Sequence, residues 1–368
     1  MTEENNTIAL EPCPEQSATE SRPATLQIGI VANYQDSEET RVLLTPEACG
    51  MLTSAGIAVC METGAGIDID FSDEKYAEYG VTVADRETAL RQNIVVSYAP
   101  LKAADILKMR KGAALLCVMD STLFQPDSIK ALLDHRITLG CFDNMYSHND
   151  EPVFANIIDE INGRAAIMYA QDHLSYLGGG KGVLLAGVAG INPCEVLIVG
   201  DGMDVYSAAL AALNSGATVT LVNNDVSTLQ TARQFCGERL VTLAMHPRVL
   251  FNKVKTADVI IIGSTTRPFE MPRNLAAAMK ENVYMLDLKQ TQPSVSVPRT
   301  VAMGLSNALV NFFNEAAIKE GITGMIATTE GVQRGIVTYD GKLVDKLVAS
   351  YLNLPCVDIS VMLSSHSN

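Results

Sequence analysis

Val196-Leu197-Ile198-Val199-Gly200-Asp201-Gly202-Met203-Asp204-Val205 leads straight into an alanine-rich stretch, and its reading decides the fold. Four apolar residues read as a strand, Gly-x-Gly as a tight turn, and the residues from Met203 onward as a helix. This order puts a helix N-terminus at the end of a buried strand, where backbone N–H groups can hold a pyrophosphate. Gly200 would allow the turn, and Gly202 would let the backbone approach the phosphates. The next strand, Ala217–Val222, ends at Asn223, where an acidic residue usually holds the ribose hydroxyls. Asn223 can still bond a hydroxyl, as a neutral partner. Neither Arg nor Lys follows it directly in NNDVST, which favours NAD over NADP. Ser264, ending ADVIIIGS, completes the candidate cofactor set of Gly200, Gly202, Met203, Asn223 and Ser264.

The motif departs from its ideal form at three places. Val205 stands where a third glycine would allow close helix–strand packing. Asp201 and Asp204 set two carboxylates beside the pyrophosphate position, a repulsion of about 1 kcal/mol each at partly screened range. A second reading of Asp204 needs no ligand, because an acid in the first turn favours the positive end of its own helix.

Outward from this motif, short β-rich runs alternate with helical stretches on both sides. LQIGIV, IAVCME, NIVVSY, AALLCVM and ITLGCF precede it; ATVTLVN, ADVIIIGS and NVYMLDL follow. Thr45–Ala55 and Gln125–Asp134 have helical spacing with Thr-Pro and Gln-Pro starts, a long helix runs from Glu151 to about Tyr176, and another covers Asn307–Glu320. Strands alternating with helices imply parallel sheets with right-handed crossovers. The expected fold is α/β: two doubly wound parallel-sheet domains, one of Rossmann type, separated by a cleft. Residues 1–24 read as a flexible polar tail, 25–152 with 304–368 as one domain, and 153–303 as the dinucleotide domain.

The 368 residues carry 27 basic and 42 acidic side chains, a net charge of −15. No Lys/Arg-rich block exists to neutralise nucleic acid or an anionic membrane, so neither is an expected partner. Apolar runs fall short of the roughly 20 residues needed to cross a bilayer. The eight cysteines lack any C-x-x-C pair and are expected to be buried thiols of a reducing cytoplasm. The five histidines have no metal-ligand spacing. Met168 and Met279, at helical spacing, read as core.

Several segments together resemble the alanine dehydrogenase/transhydrogenase N-terminal family, from Ile28 to about Pro355. They are TRVLLTPEACGMLTSAG, METGAGIDIDFSDEKYAEYG, IIDEINGRAAIMYA, GGGKGVLLAGVAGINPCEVLIVGDG, VPRTVAMGLSNALVNFF and GIVTYDGKLVDKLVASYLNLP. The last is similar to the tail of alanine dehydrogenases, which favours that branch over the membrane transhydrogenase. The resemblance implies a substrate domain facing an NAD-binding domain, with L-alanine oxidised to pyruvate and ammonia. It also implies a small-molecule substrate and a homo-oligomer.

Carried over residue by residue, the resemblance places Arg41 at the carboxylate-binding arginine. The family's lysine falls on Tyr98, its histidine on Asp120 or Ser121, and its strand-end aspartate on Asp287. The following acid falls near Thr291, and the segment between Asp287 and Arg299 is much shorter than in the dehydrogenases. Asp120, Tyr98 and Asp287 are thus the candidate catalytic residues and Arg41 the substrate anchor. Asp120 would be repelled by a substrate carboxylate, and Tyr98 donates a hydrogen bond without supplying a cation.

Each has a plainer reading. Arg41 suits a surface ion pair, Tyr98 strand-end packing, Asp120 a turn cap, and Arg299 a domain-junction salt bridge. Lys289 is the nearby cation that could stand in for the missing lysine, and Asp143, Asn144 and Tyr146 could project into the cleft. Three functions follow: an NAD-dependent oxidoreductase of a small amino acid or 2-oxo acid, a non-catalytic relative keeping only the fold, or an enzyme on another substrate whose ammonium Asp120 would hold.

Overall fold

The computed structural model describes residues 26–118, 124–264 and 269–366. Asp120, Ser121, Cys13 and the polar tail lie outside them.

The first sheet is built by β1 (Gln27–Ile30), β2 (Ala58–Glu62), β3 (Thr82–Ala84), β4 (Ile94–Ser97), β5 (Ala114–Cys117) and β6 (Thr138–Cys141). The second takes β7 (Glu195–Val199), β8 (Thr218–Asn223), β9 (Val241–Ala244), β10 (Val259–Ile262) and β11 (Tyr284–Asp287). The chain then returns to the edge of the first sheet with β12 (Ile336–Tyr339) and β13 (Lys342–Leu343). Strand order is β13-β12-β6-β5-β4-β1-β2-β3 in the first sheet and β11-β10-β7-β8-β9 in the second. All pairs are parallel except β12 with β6 and with β13. The sheets are parallel as expected, with an antiparallel addition at this edge. Asp340 and Gly341, both at positive φ, form the two-residue turn that folds β12 onto β13.

Every residue of β4, β5 and β10 is buried, as fits strands covered on both faces. Each sheet has an apolar layer on either side. Four helices matter for the site. α1 (Pro46–Ser54) begins at the Thr45 cap, whose hydroxyl accepts from the Ala48 N–H. α2 (Val153–Leu174) leaves the first domain for the second. α3 (Met203–Asn214) follows β7. α4 (Pro298–Ile318) packs Val301, Leu305, Leu309 and Phe313 into the core of the first domain. It starts ahead of the boundary expected at 303/304.

Each sheet reverses its strand order once, at β1/β4 in the first and β7/β10 in the second. Ligands gather outside the carboxyl ends of parallel strands at such a reversal. Here the chain leaving both reversals contributes to one cleft.

Two smaller expectations also change. Cys356 is exposed, whereas Cys49, Cys60, Cys117, Cys141, Cys194 and Cys236 are buried. Met168 is 42% exposed and so is not core. No helix is long and apolar enough to cross a membrane among the described residues.

Candidate active-site cleft

Arg41, Tyr98, Val118 and Asp143 border the cleft from the first domain; Asp204, Ser264, Leu288, Lys289 and Gln292 border it from the second. Ile158, Asp159 and Asn162, on α2, form its floor. The cleft between these residues has a volume of about 200 Å³, room for a small metabolite.

Arg41 is buried at 2% exposure, which excludes the surface ion pair. Its Nε donates to Glu39 Oε1 at 2.7 Å and its Nη2 to Glu39 Oε2 at 2.6 Å, a two-pronged pairing. Nη1 donates to Ser294 Oγ at 2.9 Å and Nη2 to Gln292 Oε1 at 3.1 Å. The guanidinium also lies over the Tyr98 ring, 4.3 Å from its centre. Burial works against the Arg41 charge, but Glu39 and the neighbouring groups reverse the effect and hold its pKa above the usual value. Arg41 thus ties the loop after β1 to the segment after β11.

Tyr98 is itself buried, and burial pushes its hydroxyl far above the ordinary phenol range although Arg41 partly offsets this. It stays protonated near neutrality and can donate a hydrogen bond. It cannot replace the charge of a lysine.

Across the cleft, Gly200 at φ +142° and Gly202 at φ +95° hold backbone that other residues rarely adopt. Gly202 caps α3 without a side-chain acceptor, so the first-turn N–H groups of Met203 and Asp204 can face a ligand anion. Val205 fits the third-glycine position because residue 263 is glycine. A Cβ at Gly263 would lie 2.2 Å from Val205 Cγ2. The backbone therefore fits a pyrophosphate. The acids oppose it: Asp204 bridges the two loops at the reversal, with Oδ1 accepting from Val205 N at 2.8 Å and Oδ2 from Ser264 N at 2.9 Å. Burial raises the pKa of Asp204, and these N–H bonds partly restrain it. Asp204 thus joins the helix-end reading to a second job, fastening the β10 loop.

Asn223 fastens the turn from the other side, since its Nδ2 donates to the Gly200 carbonyl at 2.7 Å and its Oδ1 accepts from Asp225 N at 2.8 Å. A ribose would have to compete for this side chain. Like Gly200, Gly202, Met203 and Asn223, Asp287 is not among the residues that line the pocket itself. It accepts from Lys289 N and Gln290 Nε2, both at 3.0 Å, and caps the short turn after β11. Its expected place in the cleft is corrected to a cap, while its neighbour Lys289 does line the space. Arg299 stacks over Phe71 at 4.9 Å, and no salt bridge to it occurs among the described residues.

The sequence reading missed Glu39, Asp159, Asn162, Gln292 and Ser294. Asp159 and Asn162 stand one helical turn apart on α2 and had that spacing as a signal. Asp159 is half-buried, and desolvation, with Asp204 nearby, pushes its pKa up to about 7. The folded chain therefore holds this proton more tightly than the unfolded chain does. Stability contributed at low pH is lost between about pH 4 and 7, and the cost is complete above that. Asp159→Asn should stabilise the protein at pH 8 by on the order of 2 kcal/mol and change little at pH 4.5. Urea midpoints at the two pH values check this; equal shifts at both would contradict it.

Two α/β units, each with a strand-order reversal that contributes to one cleft, define a two-domain α/β class with a Rossmann-like second sheet. Residues 29–156 match the family description "Alanine dehydrogenase/PNT, N-terminal domain", and residues 166–292 match "Alanine dehydrogenase/PNT, C-terminal domain". The chain belongs to this alanine dehydrogenase-like family. It is 26% identical to an alanine dehydrogenase of Mycolicibacterium smegmatis over 92% of this chain and 100% of that one. An alanine dehydrogenase of Bacillus subtilis is 25% identical over 93% and 98%. Among solved structures, an L-alanine dehydrogenase superposes with TM-score 0.80 at 23% identity, covering 89% of this chain and 99% of that one. A transhydrogenase from Sinorhizobium meliloti does so with TM-score 0.71 at 16% identity, over 87% and 99%.

Proposed function

We propose that this chain is an NAD-dependent oxidoreductase acting on a small amino acid or 2-oxo acid. One observation carries the reading: a buried arginine at one strand-order reversal and a glycine-opened helix N-terminus at the other border the same cleft. Gly200, Gly202 and Met203 would hold the pyrophosphate, Asn223 the ribose, and Ser264 would flank it. NAD supplies the hydride acceptor when bound. Arg41 would hold the substrate carboxylate and Tyr98 would donate a hydrogen bond to its oxygen. Of the expected catalytic residues, Tyr98 lines the cleft, Asp287 caps the turn whose Leu288 and Lys289 line it, and Asp120 lies outside the described residues.

The chain has no tryptophan, so NADH binding is read by exciting the nicotinamide directly. We expect saturable enhancement, and pyruvate-dependent NADH oxidation in ammonium buffer. A flat titration up to millimolar protein and cofactor would remove the reading.

A non-catalytic role has its own support. Four of the five Arg41 donors are used within the chain, and Asp204 sets a buried carboxylate at the helix N-terminus. That reading predicts dinucleotide binding without turnover, or neither. We further propose a cytoplasmic homo-oligomer. Leu177, Leu184, Val188 and Ile191 are each more than half exposed on one segment, an apolar surface suited to a second copy.

A further inference from the structure

An arginine offers a carboxylate two edges, Nε with Nη2 and Nη1 with Nη2, and each pairs with two oxygens at once. In Arg41 the first edge belongs to Glu39. On the second edge, Gln292 Oε1, from a residue that lines the cleft with Arg41, and the buried Ser294 Oγ take the two donors a substrate carboxylate would use. We propose that Gln292 and Ser294 are a built-in plug on Arg41, occupying the carboxylate position and setting which carboxylates the site admits. The inference rests on Arg41 as the carboxylate anchor.

The short segment after Asp287 brings the plug there. Ser294 is fully buried, and its N–H is held by Asn162 Oδ1 at 2.9 Å, so α2 fixes the hydroxyl beneath Arg41. Gln292 stands at φ 43°, in the left-handed region a side chain of its kind seldom occupies. From that conformation its amide oxygen reaches Arg41 Nη2 at 3.1 Å, and a backbone held there is a cost that the contact has to offset. Both plugging groups are neutral acceptors, so a carboxylate in their place adds a full negative charge and a two-pronged pairing that neither of them supplies. The plug is therefore a competitor that a well-matched carboxylate displaces, and a weak one cannot.

The test uses the full chain and two probes, acetate and pyruvate, titrated by calorimetry. Gln292→Gly removes the amide at a backbone position glycine accepts readily, so folding is kept. Ser294→Ala is added in a second variant. Relative to the parent, Gln292→Gly should bind both probes about tenfold more tightly, the worth of one charged-group hydrogen bond. The gain should disappear with Arg41→Lys, which keeps the charge but loses the two-donor edge. Equal affinity in parent and Gln292→Gly overturns the proposal, as does weaker binding in the variant, which would make Gln292 a ligand contact. Gained pyruvate binding with no NADH oxidation would sink the redox reading and leave the plug standing.

Discussion

Arg41→Ala should lower the unfolding free energy by about 3–5 kcal/mol, the cost of removing one partner from a buried ion pair. Glu39 is only 9% exposed and would be left with its charge facing neighbours that cannot neutralise it. Ser294 Oγ and Gln292 Oε1 would lose their shared donor, and the Tyr98 ring would lose the cation lying over it. The loss falls on both domains at once, because the loop after β1 and the segment after β11 meet at this side chain. Two variants separate charge from packing. Glu39→Ala combined with Arg41→Ala should recover much of the loss, since no buried charge then remains unpaired. Urea unfolding followed by circular dichroism measures both. A loss under about 1 kcal/mol for Arg41→Ala alone would put the pair in the range of solvent-screened surface bridges and refute the clamp.

That clamp also marks where sequence reading stops. The buried strands were legible, because NIVVSY and AALLCVM are short apolar runs whose length, bounding turn residues and, in the first, β-branched content favour a strand over a buried helix. The Thr45-Pro46 start was legible too, because a cap acts within one turn of chain. β12 and β13 passed unread, although Asp340-Gly341 is a strong hairpin signal between short apolar runs. At the site, Gly200 and Gly202 are readable because a local backbone need dictates them. The distant Arg41 partners are not, since Gln292 and Ser294 lie 251 and 253 residues away and only the tertiary fold brings them near. Asp287 misled for the related reason that a strand-end acid serves equally as a cap or a ligand, and only the following turn decides.

Gly163 carries the second large effect, and it connects packing to the cleft. It lies inside α2, where alanine would normally stabilise a helix by up to about 1 kcal/mol. Here the sign reverses. A Cβ at residue 163 would come within 2.2 Å of the Asp204 carbonyl oxygen and 2.7 Å of the Ala208 N, both backbone atoms of α3 that no rotamer change can move. Gly163→Ala must push α2 and α3 apart, and overpacking of this kind costs about 1–3 kcal/mol, with the upper end expected against backbone. The displaced turn is the one that carries Gly202, Met203 and Asp204, while Asn162 on the same stretch of α2 holds the Ser294 N–H. The variant should therefore weaken NADH binding as well as lower the urea midpoint, even though residue 163 is absent from the cleft lining. Unchanged stability would mean that the two helices part without cost. Lowered stability with full NADH affinity would mean that the dinucleotide does not rest on the start of α3.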